Sequence, residues 1–223
     1  MSVNLRVDGT TYEDANSIVV GGKTIEIQEI NGSGYTFCEY IESSGTQWID
    51  TGWVHSANST IVLDVNLTDS SRDSYIAVFG SMNPNYSNNA WTFFCRFGGT
   101  AKPTLARTGN EGQGSNLKYG KRITIIANGT KAAWTGDNTT NSVTSSGTAN
   151  EGVITMALFT NHEGTRYNRH CVMKLYGAKF YTGDVMERDF VPAKRNSDNV
   201  YGLYDRVNGV FYASVGSGNF TGA

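Results

Sequence analysis

Asn83-Pro84-Asn85-Tyr86-Ser87-Asn88-Asn89 sets one tyrosine among four asparagines just ahead of Trp91. A second stretch, 161–169, gathers His162, Arg166, Tyr167 and Asn168. Both hold what sugar recognition needs. A flat ring lies under the C–H face of a pyranose, and amide or guanidinium groups meet its hydroxyls. Asn85, Tyr86, Asn88 and Trp91 in the first stretch, with His162, Arg166 and Tyr167 in the second, are therefore the candidate ligand-binding residues. Trp53 follows a glycine at a strand end and is a further aromatic expected to be exposed, whereas Trp48 and Trp134 fall in alternating segments and read as core.

Catalytic and metal chemistry have weaker footholds. Glu187 and Asp189 lie two residues apart, which on a strand puts both carboxylates on one face. Without a third acid in register they read as surface or arginine-paired groups. His55, His162 and His170 are scattered, and a His-x7-His spacing across a loop does not converge on zinc. Asp64, Asn66, Asp69 and Asp73 are the hard oxygen ligands calcium prefers, yet no Asp-x-Asp-x-Asp loop contains them, so no cofactor is expected and calcium is the alternative. The glycines of 109–114 lack the strand-to-helix setting of a phosphate cradle. Cys38, Cys95 and Cys171 show no CxxC spacing and read as small buried hydrophobes.

The elements that position these residues are strands. Ile61, Leu63, Val65 and Leu67 alternate with polar neighbours, the period of a half-buried strand. Residues 74–81 are apolar on both faces and predict an inner strand. Further strands are expected over 91–97, 104–108, 122–128, 130–135, 153–159 and around Val143, with Asn128-Gly129 making a type I′ hairpin turn. Residues 160–169 read as a loop. Near the C-terminus Tyr176, Ala178 and Phe180 share one face, 185–191 runs back, Pro192 marks an edge or exit, and 200–204 pairs with 210–212. No apolar stripe of helical period persists for three turns. About twelve to fourteen strands exceed an immunoglobulin-type sandwich and suit a double-sheet jelly roll. Residues 1–34 predict a separate small unit of short strands, joined to the rest by Asn31-Gly32-Ser33-Gly34.

A net charge of −2 over 223 residues argues against nucleic acid or an anionic membrane as partner. No apolar run approaches the ~18 residues of a membrane span. Met1-Ser2-Val3-Asn4 has neither the basic start nor the apolar run of a signal peptide, so synthesis in a cytosol is expected and the Asn-x-Ser/Thr triplets are not read as glycan acceptors.

Glu39-Tyr40-Ile41-Glu42-Ser43-Ser44-Gly45-Thr46-Gln47-Trp48-Ile49-Asp50-Thr51-Gly52 resembles the opening strand pair of concanavalin A-like, laminin-G-like jelly rolls of gut bacteria and their phages. Arg188-Asp189-Phe190-Val191-Pro192-Ala193, Gly202-Leu203-Tyr204-Asp205 and Asn208-Gly209-Val210-Phe211-Tyr212 are similar to the end of the same domains. Val7-Asp8-Gly9-Thr10-Thr11-Tyr12 is similar to the start of small phage structural proteins. The resemblance implies an all-β antiparallel sandwich over 35–223, with 1–34 as an attachment unit to other virion proteins. It implies a non-catalytic, lectin-like adhesion module displayed on a virion and contacting surface glycans, and the few short strands of 1–34, marginal alone, make a homo-oligomer such as a trimer the expectation. A decoration protein without glycan binding and a glycan hydrolase are the alternatives. Glycanases on related jelly rolls carry Glu-x-Asp-x-x-Glu on one strand; here the third position is Pro192.

Overall fold

The computed structural model describes residues 5–7, 10–12, 17–20, 23–26, 34–68, 75–83, 89–96, 102–115, 117–136 and 139–223. The chain divides into two compact units, Met1–Gly34 and Tyr35–Ala223. The first contains two antiparallel hairpins, Leu5–Val7 with Thr10–Tyr12 and Ser17–Val20 with Lys23–Glu26. Of the short strands expected in 1–34, residues 27–30 lie outside the described residues.

The second unit holds two large sheets, antiparallel except for one parallel bridge between His162 and Ser81, and no helix occurs among the described residues. The smaller sheet runs Asn110–Gln113, Lys102–Arg107, Trp91–Arg96, Ile76–Ser81, Ala157–Leu158, Ile49–Asp50. The larger runs Thr139–Thr144, Lys131–Gly136, Arg122–Asn128, Ser59–Leu67, Met173–Thr182, Val185–Arg195, Val200–Asp205, Val210–Tyr212. One hydrophobic cluster draws on both: Ile49, Phe79, Phe93 and Leu105 from the first sheet meet Ile61, Leu63, Ile125 and Phe190 from the second. Ser59–Leu67 alternates buried and half-buried along its whole length, so its apolar face is spent on that core, each Ile or Leu contributing about 1.5–3 kcal/mol of burial. Ile76–Ser81 is buried on both faces between two neighbours, the inner strand its composition predicts.

Several local expectations give way to backbone detail. In Met173–Thr182 a bulge between Leu175 and Gly177 shifts the alternation, so Met173, Leu175, Ala178 and Phe180 face the core. Tyr176, expected beside Ala178 and Phe180, lies instead under Arg122, whose guanidinium sits 3.9 Å from its ring. Val185–Arg195 continues through Pro192, which pairs with Leu203 and accepts a hydrogen bond from the Cys38 amide on its carbonyl. The 122–136 hairpin closes on Gly129 and Thr130, and only Gly129 has a positive φ (52°), the mark of a type II′ turn rather than the type I′ expected. Residues 153–159 form a strand only at Ala157–Leu158, because Phe159 turns to φ 68° and ends it. The 160–169 stretch is a short hairpin, Asn161–His162 with Tyr167–Asn168, and not an open loop.

Candidate functional site

That short hairpin belongs to the smaller sheet, bridging from His162 to Ser81 at the end of the inner strand, and brings distant residues together. Gly164 (φ 79°) makes its turn, which few side chains tolerate. Phe159 (φ 68°) and Arg169 (φ 61°) flank it in the same left-handed region, where a bulky residue costs on the order of 1–3 kcal/mol. The neighbouring sheet holds both in place: the Phe159 amide donates to the Val78 carbonyl at 2.9 Å, and the Ala77 amide donates to the Arg169 carbonyl at 2.7 Å. Ala157 pairs with Asp50, which sets Trp48 and Asp50 beside the hairpin.

The result is a four-ring stack. His170 lies on Trp48 with ring centroids 4.5 Å apart, and Trp48 lies 5.4 Å from Tyr167. Tyr167 in turn stacks on His162 at 4.3 Å. His162 is buried, while Trp48, Tyr167 and His170 are half-buried and keep part of their surface to solvent. Asp50 anchors the stack. One of its carboxylate oxygens accepts from the Tyr167 hydroxyl at 2.7 Å and the Thr155 hydroxyl at 2.9 Å, and the other from the Gly52 amide at 3.0 Å. Burial, and then the Asp50 carboxylate, hold the Tyr167 phenol well above its ordinary range, so it stays a hydrogen-bond donor. His162 Nε2 lies 2.9 Å from the Gly164 carbonyl, and its Nδ1 lies 2.9 Å from that of Thr155. The Thr160 hydroxyl donates to the Asn168 carbonyl at 2.7 Å, so it accepts from His170 Nδ1 at 3.0 Å.

A second charged pair closes the tip of the hairpin. Glu163 is buried and takes the Arg166 guanidinium at 2.7 Å, while the Arg166 side chain stays largely exposed. Asn161 donates to the other Glu163 oxygen at 3.1 Å. The carboxylates of Asp50 and Glu163 are thus occupied by structural donors. Trp48, Tyr167 and His170 each keep part of their surface to solvent, beside the exposed Arg166 and the half-buried Asn168. Such a surface can adsorb an apolar sugar face and hydrogen-bond its hydroxyls.

Of the predicted ligand-binding residues, His162, Arg166 and Tyr167 come together here. Trp91 does not join them. It is fully buried in Trp91–Arg96, across from Ser81 on one side and Arg107 on the other, so no sugar reaches its face. Asn85, Tyr86 and Asn88 lie outside the described residues. Trp53, expected to be exposed, is buried against Phe180 and donates its indole N–H to Glu187. Trp134 is core. Trp48 packs against the core with one part of its ring and stacks with the rest, a dual role its alternation did not reveal.

The other acids are in structural use. A bulge opposite Phe180 and Tyr181 leaves Glu187 unpaired in the ladder and breaks its alternation with Asp189. Asp189 takes the Arg206 guanidinium at 2.5 Å, the arginine-paired state expected of it. Asp205, fully buried, accepts from the amides of Asp189 and Val207 at 3.1 Å each. Asp64 is held by the Arg122 fork at 2.9 and 2.7 Å, and Asp69 and Asp73 lie outside the described residues. Among the described residues no group of three or more His, Cys, Asp and Glu could hold a metal ion. Burial raises the Cys38 thiol to about 11 and the Cys95 thiol to about 12, so neither is a ready nucleophile. No protein-family model matches the chain, and no curated protein matches it either.

Proposed function

We propose that this protein is a non-catalytic, lectin-like adhesion module. In this reading the second unit is a jelly-roll sandwich of the concanavalin A-like kind, displayed on a virion, and the Trp48–Tyr167 ring stack is its glycan platform. The observation that carries the reading is the stack itself: three half-buried rings, with Tyr167 anchored by Asp50, beside carboxylates whose oxygens are taken by structural donors. Residues 1–34 would attach the module to other virion proteins, and display of several copies, as in a trimer, would convert weak single-site binding into avidity. Metal and cofactor play no part in it.

Binding to a broad glycan array, with the hits retested by titration calorimetry, examines the reading directly. Wild-type protein is expected to retain one sugar class. Trp48→Ala and Arg166→Ala should weaken that binding at least tenfold, and because Arg166→Ala strands the buried Glu163, the double variant Glu163→Gln/Arg166→Ala separates lost binding from a disturbed hairpin. Silence across the array, or full binding by both variants, would reject the platform. A structural decoration role is the second reading, favoured by a separate aromatic patch. Tyr35 stacks on Phe211 at 5.2 Å, Phe37 meets Tyr204 at 5.9 Å, and Phe37 is 42% exposed.

A further inference from the structure

Three segments lead from the ring stack to one cleft. The first runs back from Trp48 to Ser44 and Ser43, the second forward from His170 to Val172. The third runs from Gly216, so close to the Trp48 ring that a Cβ would clash with it, to Asn219 and Thr221. The cleft has a volume of about 490 Å³ and is lined by Glu42, Ser44, Thr68, Val172, Asn219 and Thr221. Cys171 is fully buried between the half-buried His170 and Val172, so those two side chains leave the core on one side. Two residues of chain span at most about 7 Å, which sets the cleft wall beside the stack. Gln47 ties the segments together. It is buried, its amide oxygen accepts from the Ser44 amide at 2.8 Å and the Ser44 hydroxyl at 3.1 Å, and its Nε2 donates to the Ser217 carbonyl at 3.2 Å. The Ser43 amide donates to the Met173 carbonyl at 3.1 Å, and Thr221 pairs with Glu42 across the short closing ladder. Walls fixed in this way lose little freedom when a ligand arrives.

We propose that, given the adhesion reading on which this rests, the ring stack and the cleft are consecutive subsites for one chain of sugars, the cleft taking an uncharged unit. The lining decides the class. Ser44, Thr68 and Thr221 carry hydroxyls, Asn219 an amide and Glu42 a carboxylate, all of them partners for sugar hydroxyls. Asn219 and Thr221 are exposed, and among the described residues no hydrogen bond engages their side chains. Val172 supplies the one large apolar side chain of the wall and no ring lines it, so an apolar ligand would leave the polar groups unpaired. Charge narrows the class further. Among the described residues no arginine or lysine lines the cleft, and Glu42 repels a carboxylate or sulfate placed in it. The Lys174 ammonium stands 4.0 Å from Glu42 but is drawn over the Tyr40 ring, 3.9 Å from its centroid. The stack thus takes the C–H face of one unit, and the cleft takes the hydroxyls of the next. Its volume falls in the range of about 300–1,000 Å³ typical of ligand pockets.

Full-length protein is screened on a printed array of defined mono- to hexasaccharides, and the hits are titrated in solution by calorimetry. Chains of two or more sugars should bind at least about tenfold more tightly than their single units, because the second unit binds as an intramolecular event. A chain that carries a uronate or sulfate beyond its first unit should bind more weakly than its uncharged counterpart. Asn219→Ala/Thr221→Val should bring chain binding down to that of the single unit and leave the single unit unaffected, whereas Trp48→Ala should weaken both. Equal affinity for unit and chain, or chain binding that the double variant does not change, would overturn the shared site and leave the stack as the platform. Chain binding that survives Trp48→Ala but not the double variant would overturn the shared site and the stack reading with it. Silence across the array would reject both. Asn219 and Thr221 are exposed, and if the double variant melts below wild type, Asn219→Ala alone, outside any strand, decides.

Discussion

His55 sits where protonation is least tolerable. Its ring is buried, its two nitrogens have no hydrogen-bond partner, and Arg107 acts on it with a like charge. The folded imidazole has a pKa of about 3 against 6.5 for the free group, so the unfolded chain binds the proton first. The stability this group contributes is therefore complete above pH 6.5 and lost as pH falls through 6.5 toward 3. The loss between pH 7 and pH 5 is about 2 kcal/mol. Urea unfolding at those two pH values measures it, and His55→Phe should remove that part of the slope. The cysteines make a simpler residue-scale prediction. Cys95 and Cys171 are fully buried and Cys38 is half-exposed with a raised pKa, so a thiol reagent at pH 8 should modify Cys38 slowly and the other two only after unfolding.

Among the elements, the strand pair Val200–Asp205 and Val210–Tyr212 depends on a missing side chain. A methyl group at Gly202 would lie 2.2 Å from the Tyr212 carbonyl oxygen and 2.7 Å from the Phe211 ring. Gly202→Ala should cost about 1–3 kcal/mol, read as a lowered urea midpoint with unchanged slope. That requirement is not visible in a period-two pattern, which reports only which face is apolar. Where the pattern is uninterrupted the sequence is legible, as in Ser59–Leu67 and Ile76–Ser81. Where a bulge inserts one residue, as at Tyr176 and Glu187, every side chain beyond it changes face and the reading inverts. The candidate site was legible by half for a similar reason. His162, Arg166 and Tyr167 are close in sequence and share one hairpin. Trp48 and Asp50 stand more than a hundred positions earlier and arrive only through the pairing of Ala157 with Asp50, a long-range register that composition does not encode.

For the whole molecule, the two-unit division makes a direct prediction. The hydrophobic cluster described between the two sheets lies within 35–223, so deletion of 1–34 should leave a cooperatively folding protein with an unchanged melting temperature to within a few degrees. Circular dichroism and calorimetry of the shortened chain measure this, and loss of the cooperative transition would show that the larger unit depends on the smaller. Within the core, Leu63→Ala removes a fully buried side chain from the central strand, with an expected cost of about 2–5 kcal/mol by urea unfolding.

The way the larger unit closes has a mechanical consequence. Thr221–Gly222 pairs antiparallel with Ile41–Glu42, Phe220 is plugged into the core, and the Ala223 carbonyl accepts the Glu39 and Tyr40 amides. The two ends of the unit are each held by a short ladder, Thr221–Gly222 against Ile41–Glu42 and Tyr35–Phe37 against Ala193–Arg195. Tension between them loads only these few bonds before it reaches the core. A grip applied at the two ends should open the unit at low force, while a pull from Gly34 to the Tyr167 hairpin bypasses the Thr221–Gly222 ladder.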